Sequence, residues 1–262
     1  MASSKKAARQ RRIIDELNIQ PSLRIAELAD RLGVSTETVR RDLDELTRDG
    51  LIARTYGGAV RRNTAEPGLN ERHNLLVTER QAIARVAAPL LAGSSLLMIG
   101  SGATTVHVAR RIAFEMNRIT VITHSFGVAT VLSLNPTIQV IVTPGLYHPG
   151  EGAIHGAQTL RFLEDFRADW AVVGASGLDD EGASDALIEA SEVYSMMMRR
   201  SARTMIVADS SKFGQHFAAR YTTWDRVDTV VSERAPTGRL LKAMDAGGAI
   251  VRTPAPSPFP GG

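Results

Sequence analysis

The chain has no cysteine, which excludes disulfides, thiolate metal sites and a cysteine nucleophile and fits a reducing compartment. It also has no apolar run long enough to span a bilayer. Its first residues lead into the amphipathic Ile13-Ile14-Asp15-Glu16-Leu17 rather than an apolar signal region. The expectation is a soluble cytoplasmic protein with no membrane partner. Several signatures of chemistry are missing as well. Gly100-Ser101-Gly102 lacks the third glycine of a dinucleotide fingerprint and an acidic residue downstream, and it lacks the Gly-Lys-Ser/Thr of a P-loop. Ser176 does not have the spacing of a nucleophile elbow. His148 and His155 are too far apart for a helical metal pair and His124 stands alone, so no metal and no cofactor is expected.

Net charge is small, +3 over 262 residues, but it is unevenly spread. Up to Arg62 there are 13 Lys and Arg against 9 Asp and Glu, so 13 − 9 = +4 sits there and +3 − 4 = −1 remains for the rest. A basic segment on a near-neutral body suggests a localised polyanionic partner. Lys5, Lys6, Arg9, Arg11 and Arg12 fit either non-specific phosphate contact or a solubilising tail.

The most specific pattern runs from Ile25 to Leu46. Ile25, Leu28, Ala29 and Leu32 share one helical face, and Gly33-Val34 supplies a turn. Ser35 is placed to cap a second helix, in which Val39, Leu43 and Leu46 face inward at i, i+4 and i+7. Thr36, Glu37, Arg40, Arg41 and Asp44 are left outward. Gly50 suits a helix C-cap, and Leu51 to Arg54 leaves room for a strand returning through Gly57-Gly58 as a wing. This is a winged helix-turn-helix. Its second helix carries hydroxyls and two arginines suited to the major groove. The DNA-contacting set is Ser35, Thr36, Thr38, Arg40 and Arg41, with Arg54 and Tyr56 of the wing near the backbone. The bland alternative is that Arg40 and Arg41 only pair with Glu37 and Asp44.

Residues 63–78, broken by Pro67 and Gly68, read as a linker between residues 1–62 and a larger domain over 79–252; residues 253–262 read as a disordered tail. Within the larger domain, apolar runs at Leu96–Ile99, Thr120–Thr123, Gln139–Thr143, Trp170–Val173, Thr204–Ala208 and Thr229–Val231 alternate with helical stretches. The fold class expected is therefore α/β, a small winged helix-turn-helix domain followed by a larger domain with a mostly parallel sheet. Polar or glycine-rich segments follow five of the runs, where an open parallel sheet binds ligands. Gly100 to Thr105 resembles an anion cradle at a helix N-terminus, and Lys212 beside Asp209 adds a cation, although an ordinary turn and a surface ion pair fit the same residues. The effector-contacting set is Ser101, Gly102, Ala103, Thr104, Thr105, His124, Ser125, Gly145, Gly177 and Lys212. Met196, Met197 and Met198 lie in an expected helix from Ala190 to Ser201, as core or subunit contact.

Together these motifs resemble the DeoR-type bacterial transcription repressors from about Arg9 to Glu233. The resemblance rests on Val34 to Leu43, on Arg54 to Ala59 and on Asp209-Ser210-Ser211-Lys212-Phe213-Gly214. It implies a repressor of a carbohydrate or related catabolic operon, with a phosphosugar-isomerase-like domain that senses a phosphorylated small molecule without turning it over. The implied partners are a double-stranded DNA operator and that effector, and a homo-oligomer is expected to present paired domains to repeated half-sites. Four departures from the family pattern fall around the effector region: Gly100 for aspartate, His124 for asparagine, Pro144 for glycine and Tyr194 for lysine. The alternative reading is a phosphosugar isomerase-like enzyme using Glu189 or Asp179 as base and Lys212 to stabilise an enediolate.

Overall fold

The structure is a computed structural model that describes residues 6, 9–13, 16, 22–48, 53–55, 58–60 and 69–255. The expectations for Gly50, Tyr56, Gly57, Pro67, the first five residues and residues 256–262 fall outside the described residues. Contacts divide the chain into two units, Met1–Pro67 and Gly68–Gly262.

In the first unit, strand β1 (Ser22–Arg24) runs directly into helix α1 (Ile25–Leu32), followed by α2 (Thr36–Arg48), β2 (Ala53–Thr55) and β3 (Gly58–Val60). The three strands form an antiparallel sheet in the order β1-β3-β2. Thr55 pairs with Gly58, so β2 and β3 are adjacent antiparallel strands of the wing. Gly33 ends α1 in the left-handed region at φ 65°, where glycine carries no Cβ penalty. The Ile25, Leu28, Ala29 and Leu32 face of α1 packs on Val39, Leu43 and Leu46 of α2, with Ile13 and Leu23 completing the core. Each fully buried leucine contributes roughly 1.5–3 kcal/mol, so these short helices are held by their interlocked stripes more than by intrinsic propensity.

In the second unit, α3 (Leu69–Arg72) and α4 (Val77–Leu90) precede β4 (Leu96–Ile99), α5 (Ala103–Glu115), β5 (Thr120–Thr123), α6 (Phe126–Leu132) and β6 (Gln139–Val142). A hairpin of β7 (Leu146–His148) and β8 (Ala153–His155) leads to α7 (Ala157–Glu164) and β9 (Ala168–Val173). Strands β10 (Gly177–Asp179) and β11 (Gly182–Asp185) come next, then α8 (Ile188–Arg199), β12 (Ser201–Val207) and β13 (Ala219–Thr222). The unit closes with β14 (Thr229–Val231), α9 (Gly238–Gly247) and β15 (Ile250–Arg252).

Seven strands form one sheet in the order β15-β14-β12-β9-β4-β5-β6, and every neighbouring pair is parallel. Apolar side chains alternate across it. Leu97, Ile99, Trp170, Val172, Met205 and Val207 enter one core with Ile83, Val108 and Ile112. Met98, Ala171, Val173 and Ile206 enter the other with Val193, Met197 and Met244. Both faces are covered, which is why these strands read as continuous apolar runs. The methionine cluster is core: Met196, Met197 and Met198 are all buried.

Three differences from the sequence reading have local causes. The segment expected as linker is helical at Leu69–Arg72 and again from Val77. Buried Leu69 and the buried Arg72, ion-paired to Glu151, anchor it. Strand β15 was missed because Ile250 and Arg252 are exposed, leaving no apolar run to mark it. The small antiparallel sheet β10-β11-β13 was missed because Asp179, Gly182, Ser184 and Asp185 lie in it, and such residues ordinarily signal turns.

Candidate functional site

Helix α2 begins as its sequence dictates: the Ser35 hydroxyl oxygen accepts the Thr38 backbone N–H at 3.2 Å and lies 2.9 Å from the Thr38 hydroxyl. Thr38 is therefore half-buried and committed to the cap, whereas Thr36, Glu37, Arg40, Arg41 and Asp44 are exposed. The arginines share one carboxylate, Arg41 Nε at 3.4 Å and Arg40 Nη1 at 3.9 Å from Glu37, with the guanidinium side chains 78% and 57% exposed. Exposed pairs of this kind are worth about 0.2–1 kcal/mol, less than a charge-assisted bond to phosphate or base, so Glu37 does not sequester either arginine. Arg54 lies on β2, but its side chain and Tyr56 fall outside the described residues.

The back of this helix holds an ion pair that sequence reasoning missed. Asp42 is 1% exposed, and Arg9 Nη2 donates to its Oδ1 at 3.1 Å. Arg9, which the sequence left open between phosphate contact and solubility, thus neutralises a buried carboxylate. Lys6 likewise donates to Glu45 at 2.7 Å.

In the second unit the strand order reverses direction at β4: β5 and β6 lie to one side, and β9, β12, β14 and β15 to the other. The crevice outside the carboxyl ends of β4 and β9 is therefore the topological switch point, where open α/β sheets bind ligands. The segment from Gly100 to Thr105 follows β4 at that place, and Gly102 takes φ 125° as α5 begins. Its backbone N–H groups at Ala103, Thr104 and Thr105 belong to the first helical turn, which has no intrahelical acceptors to offer them.

The side chains around this turn are already bonded to one another. Ser101 backbone N–H donates to His124 Nε2 at 3.0 Å. That leaves His124 Nδ1 protonated, donating to the Ile154 carbonyl at 2.9 Å. His124 is fully buried, and burial, reinforced by His155, pushes its pKa down to about 3. It is a neutral bracket between the loop after β4 and strand β8, with no ring nitrogen left for a ligand. Tyr194 completes the lock: its hydroxyl donates to the Ser101 carbonyl at 3.0 Å and accepts the Ser101 hydroxyl at 2.9 Å. Burial raises the Tyr194 pKa, so it stays a phenol. Tyr221 does the same for the facing loop, donating to the Gly174 carbonyl at 2.5 Å. Rings of His155, His124, Tyr194 and Tyr221 follow one another edge-on at centroid distances of 5.1, 5.8 and 5.4 Å.

Gly100 and Tyr194 are sterically linked. A Cβ built at Gly100 would lie 2.8 Å from Tyr194 Cε1, closer than carbon atoms approach. A side chain at 100 would therefore meet the Tyr194 ring and force one of the two to shift.

The remaining expected effector residues separate into two groups. Ser125 is buried and caps α6, accepting the Val128 N–H at 3.3 Å. Gly145 packs against Thr159 and the His155 backbone, and Gly177 against the Gln215 backbone and Phe217; at both, a side chain is excluded by packing. Thr105 is fully buried, its hydroxyl donating to the Gly102 carbonyl at 2.9 Å. Gly102, Ala103 and Thr104 stay at the helix start with their backbone donors. Lys212 is half-exposed on a single 3₁₀ turn after β12, which is separated from β4 by β9. The adjacent Asp209 does not depend on Lys212 for its partner: it is buried and paired at 3.2 Å with buried Arg80. Two buried atoms at this rim lack a partner among the described residues, His155 Nε2 and Thr143 Oγ1. Of the bases considered for an isomerase, Asp179 accepts N–H groups from Glu181 and Gly182 and pairs with His216, and Glu189 is exposed. Neither forms an acid–base pair with the cradle.

Two family models match the chain: the DeoR-like helix-turn-helix domain over residues 9–65 and the DeoR C terminal sensor domain over residues 76–234. Among curated relatives, the HTH-type transcriptional repressor CsqR of Escherichia coli is 32% identical over 85% of this chain and 85% of its own length. The glycerol-3-phosphate regulon repressor of the same organism is 29% identical over 92% of this chain and 96% of its length. An L-fucose operon activator of Haemophilus influenzae is also 29% identical, over 88% and 93%. With a capped, arginine-bearing second helix and wing ahead of a doubly covered parallel sheet, and with both family models matched, the chain belongs to the DeoR family of DNA-binding transcriptional regulators.

Proposed function

We propose that the protein represses a carbohydrate or related catabolic operon and releases its operator when a phosphorylated small molecule binds the second unit. The observation that carries this reading is the turn at Gly102 to Thr105, a helix N-terminus opening at the switch point of the sheet. There, unpaired N–H groups and the helix dipole favour an anion. Thr104 adds a hydroxyl and Lys212 a charge from the same rim. Relatives named for glycerol 3-phosphate and L-fucose support the metabolite class, and the activator among them leaves the sign of control to experiment. The effector differs from one gripped by aspartate, asparagine and lysine, because Gly100, His124 and Tyr194 replace those groups with a closed ring cluster. We also propose that the chain acts as a homo-oligomer, since one helix-turn-helix has a small footprint and paired half-sites raise avidity.

Calorimetry across a panel of sugar phosphates, with release from flanking DNA as second readout, tests the effector. One member is expected to bind and to loosen DNA, with Thr104→Ala and Lys212→Ala each weakening it about tenfold. Binding of no member, or equal binding to wild type and both variants, would remove the cradle from the reading.

A further inference from the structure

A second cavity lies away from the cradle, in the groove between α4 and α5. It encloses about 340 Å³ and is lined by Gln81, Ala84, Arg85, His107, Arg110, Arg111 and Phe114, none of which belongs to the Gly100 to Thr105 turn. That volume is within the range of small-molecule sites. Arg85 and Arg110 are exposed and make no ion pair among the described residues. Arg111 pairs with Glu115, a carboxylate outside the lining, and its Nε is buried without a partner among the described residues.

His107 gives the groove its second, independent mark. It is only 5% exposed, it lines the cavity, and it makes no hydrogen bond within the described residues. Its pKa is lowered to about 4 by burial and then by Arg110, Arg80 and His73. A largely buried imidazole with no hydrogen-bond partner among the described residues, beside guanidinium groups, leaves its ring nitrogens available to a ligand in the groove. Guanidinium groups donate and cannot accept, so the arginine-rich wall selects a ligand rich in acceptors and negative charge. Phe114, 82% exposed, adds a flat apolar edge.

We propose that this groove is a second ligand site, for a small phosphate-bearing anion held by Arg85, Arg110 and Arg111 with His107 hydrogen-bonded beneath it. Charge-assisted, forked bonds from arginine suit phosphate oxygens. The groove lies on α5, whose N-terminus forms the cradle, so the two sites share one rigid element while their lining residues are distinct.

The test follows the histidine ring resonances of the full-length protein during titration with pyrophosphate at fixed ionic strength, His107→Gln assigning the signal among the six histidines. The His107 resonance should move and saturate. Arg85→Ala combined with Arg110→Ala, both at exposed positions, should weaken that response about tenfold or more, and Thr104→Ala at the cradle should leave it unchanged. A His107 signal that does not respond, or a response lost in Thr104→Ala and retained in the arginine variant, would overturn the proposal without bearing on the effector panel.

Discussion

Gly100 and Tyr194 show how a pair of residues far apart in sequence sets what a site can hold. The Tyr194 hydroxyl bonds Ser101 across 93 positions, and the ring occupies the space a side chain at 100 would enter. Gly100→Ala is expected to cost about 1–3 kcal/mol by overpacking, and that penalty should vanish in a Tyr194→Leu background; urea unfolding of the four-member cycle measures it. His124 makes a pH-dependent contribution. Its folded pKa of about 3 lies below the ordinary 6.5, so the unfolded chain binds a proton that the native state refuses. Stability from this residue is complete above pH 6.5 and falls as pH drops through the window toward 3, by up to about 1.4 kcal/mol per pH unit. His124→Asn retains an acceptor for the Ser101 N–H without a titrating ring, so its stability curve should be flatter between pH 6.5 and 4.5. Parallel slopes for variant and wild type would show that His124 is not held neutral.

At the scale of elements, legibility depended on whether a residue's role is local. The stripe of Val39, Leu43 and Leu46, the Ser35 cap and the runs that became β4, β5 and β14 are set by neighbours within a few positions, and a periodic pattern records them. The hydrogen bonds of Ser101 and His124 are not local. Both residue types suit an anion cradle, but their capacity is consumed by partners far away in the sequence, which spacing does not reveal. Arg9 and Asp42 likewise meet only when the helical stretch at residues 9–13 packs on α2. The cap is the element-level feature that mutation isolates most simply. Ser35→Ala should destabilise the first unit by about 0.5–2 kcal/mol, seen as a lower midpoint in thermal unfolding with α2 intact in the native baseline; an unchanged midpoint would mean the Thr38 N–H is satisfied equally well by water.

For the whole molecule, the two units divide labour along the charge asymmetry of the chain: a basic first unit for DNA, and a near-neutral second unit whose sheet places loops at a switch point. The proposed effector response requires reciprocal coupling: an effector that loosens DNA is itself bound less tightly by the DNA complex, with roughly 1–3 kcal/mol expected. All of this depends on α2 reading sequence. The most direct measurement is a titration of wild type, Arg40→Ala and Arg41→Ala against duplex DNA from beside its own gene and against a scrambled duplex, at one fixed salt concentration. Each substitution should leave folding unchanged and weaken the specific complex, by roughly 1–3 kcal/mol where the guanidinium is bidentate to a base and less where it meets phosphate. Wild-type affinity and wild-type preference in both variants would contradict the assignment of this helix to operator recognition.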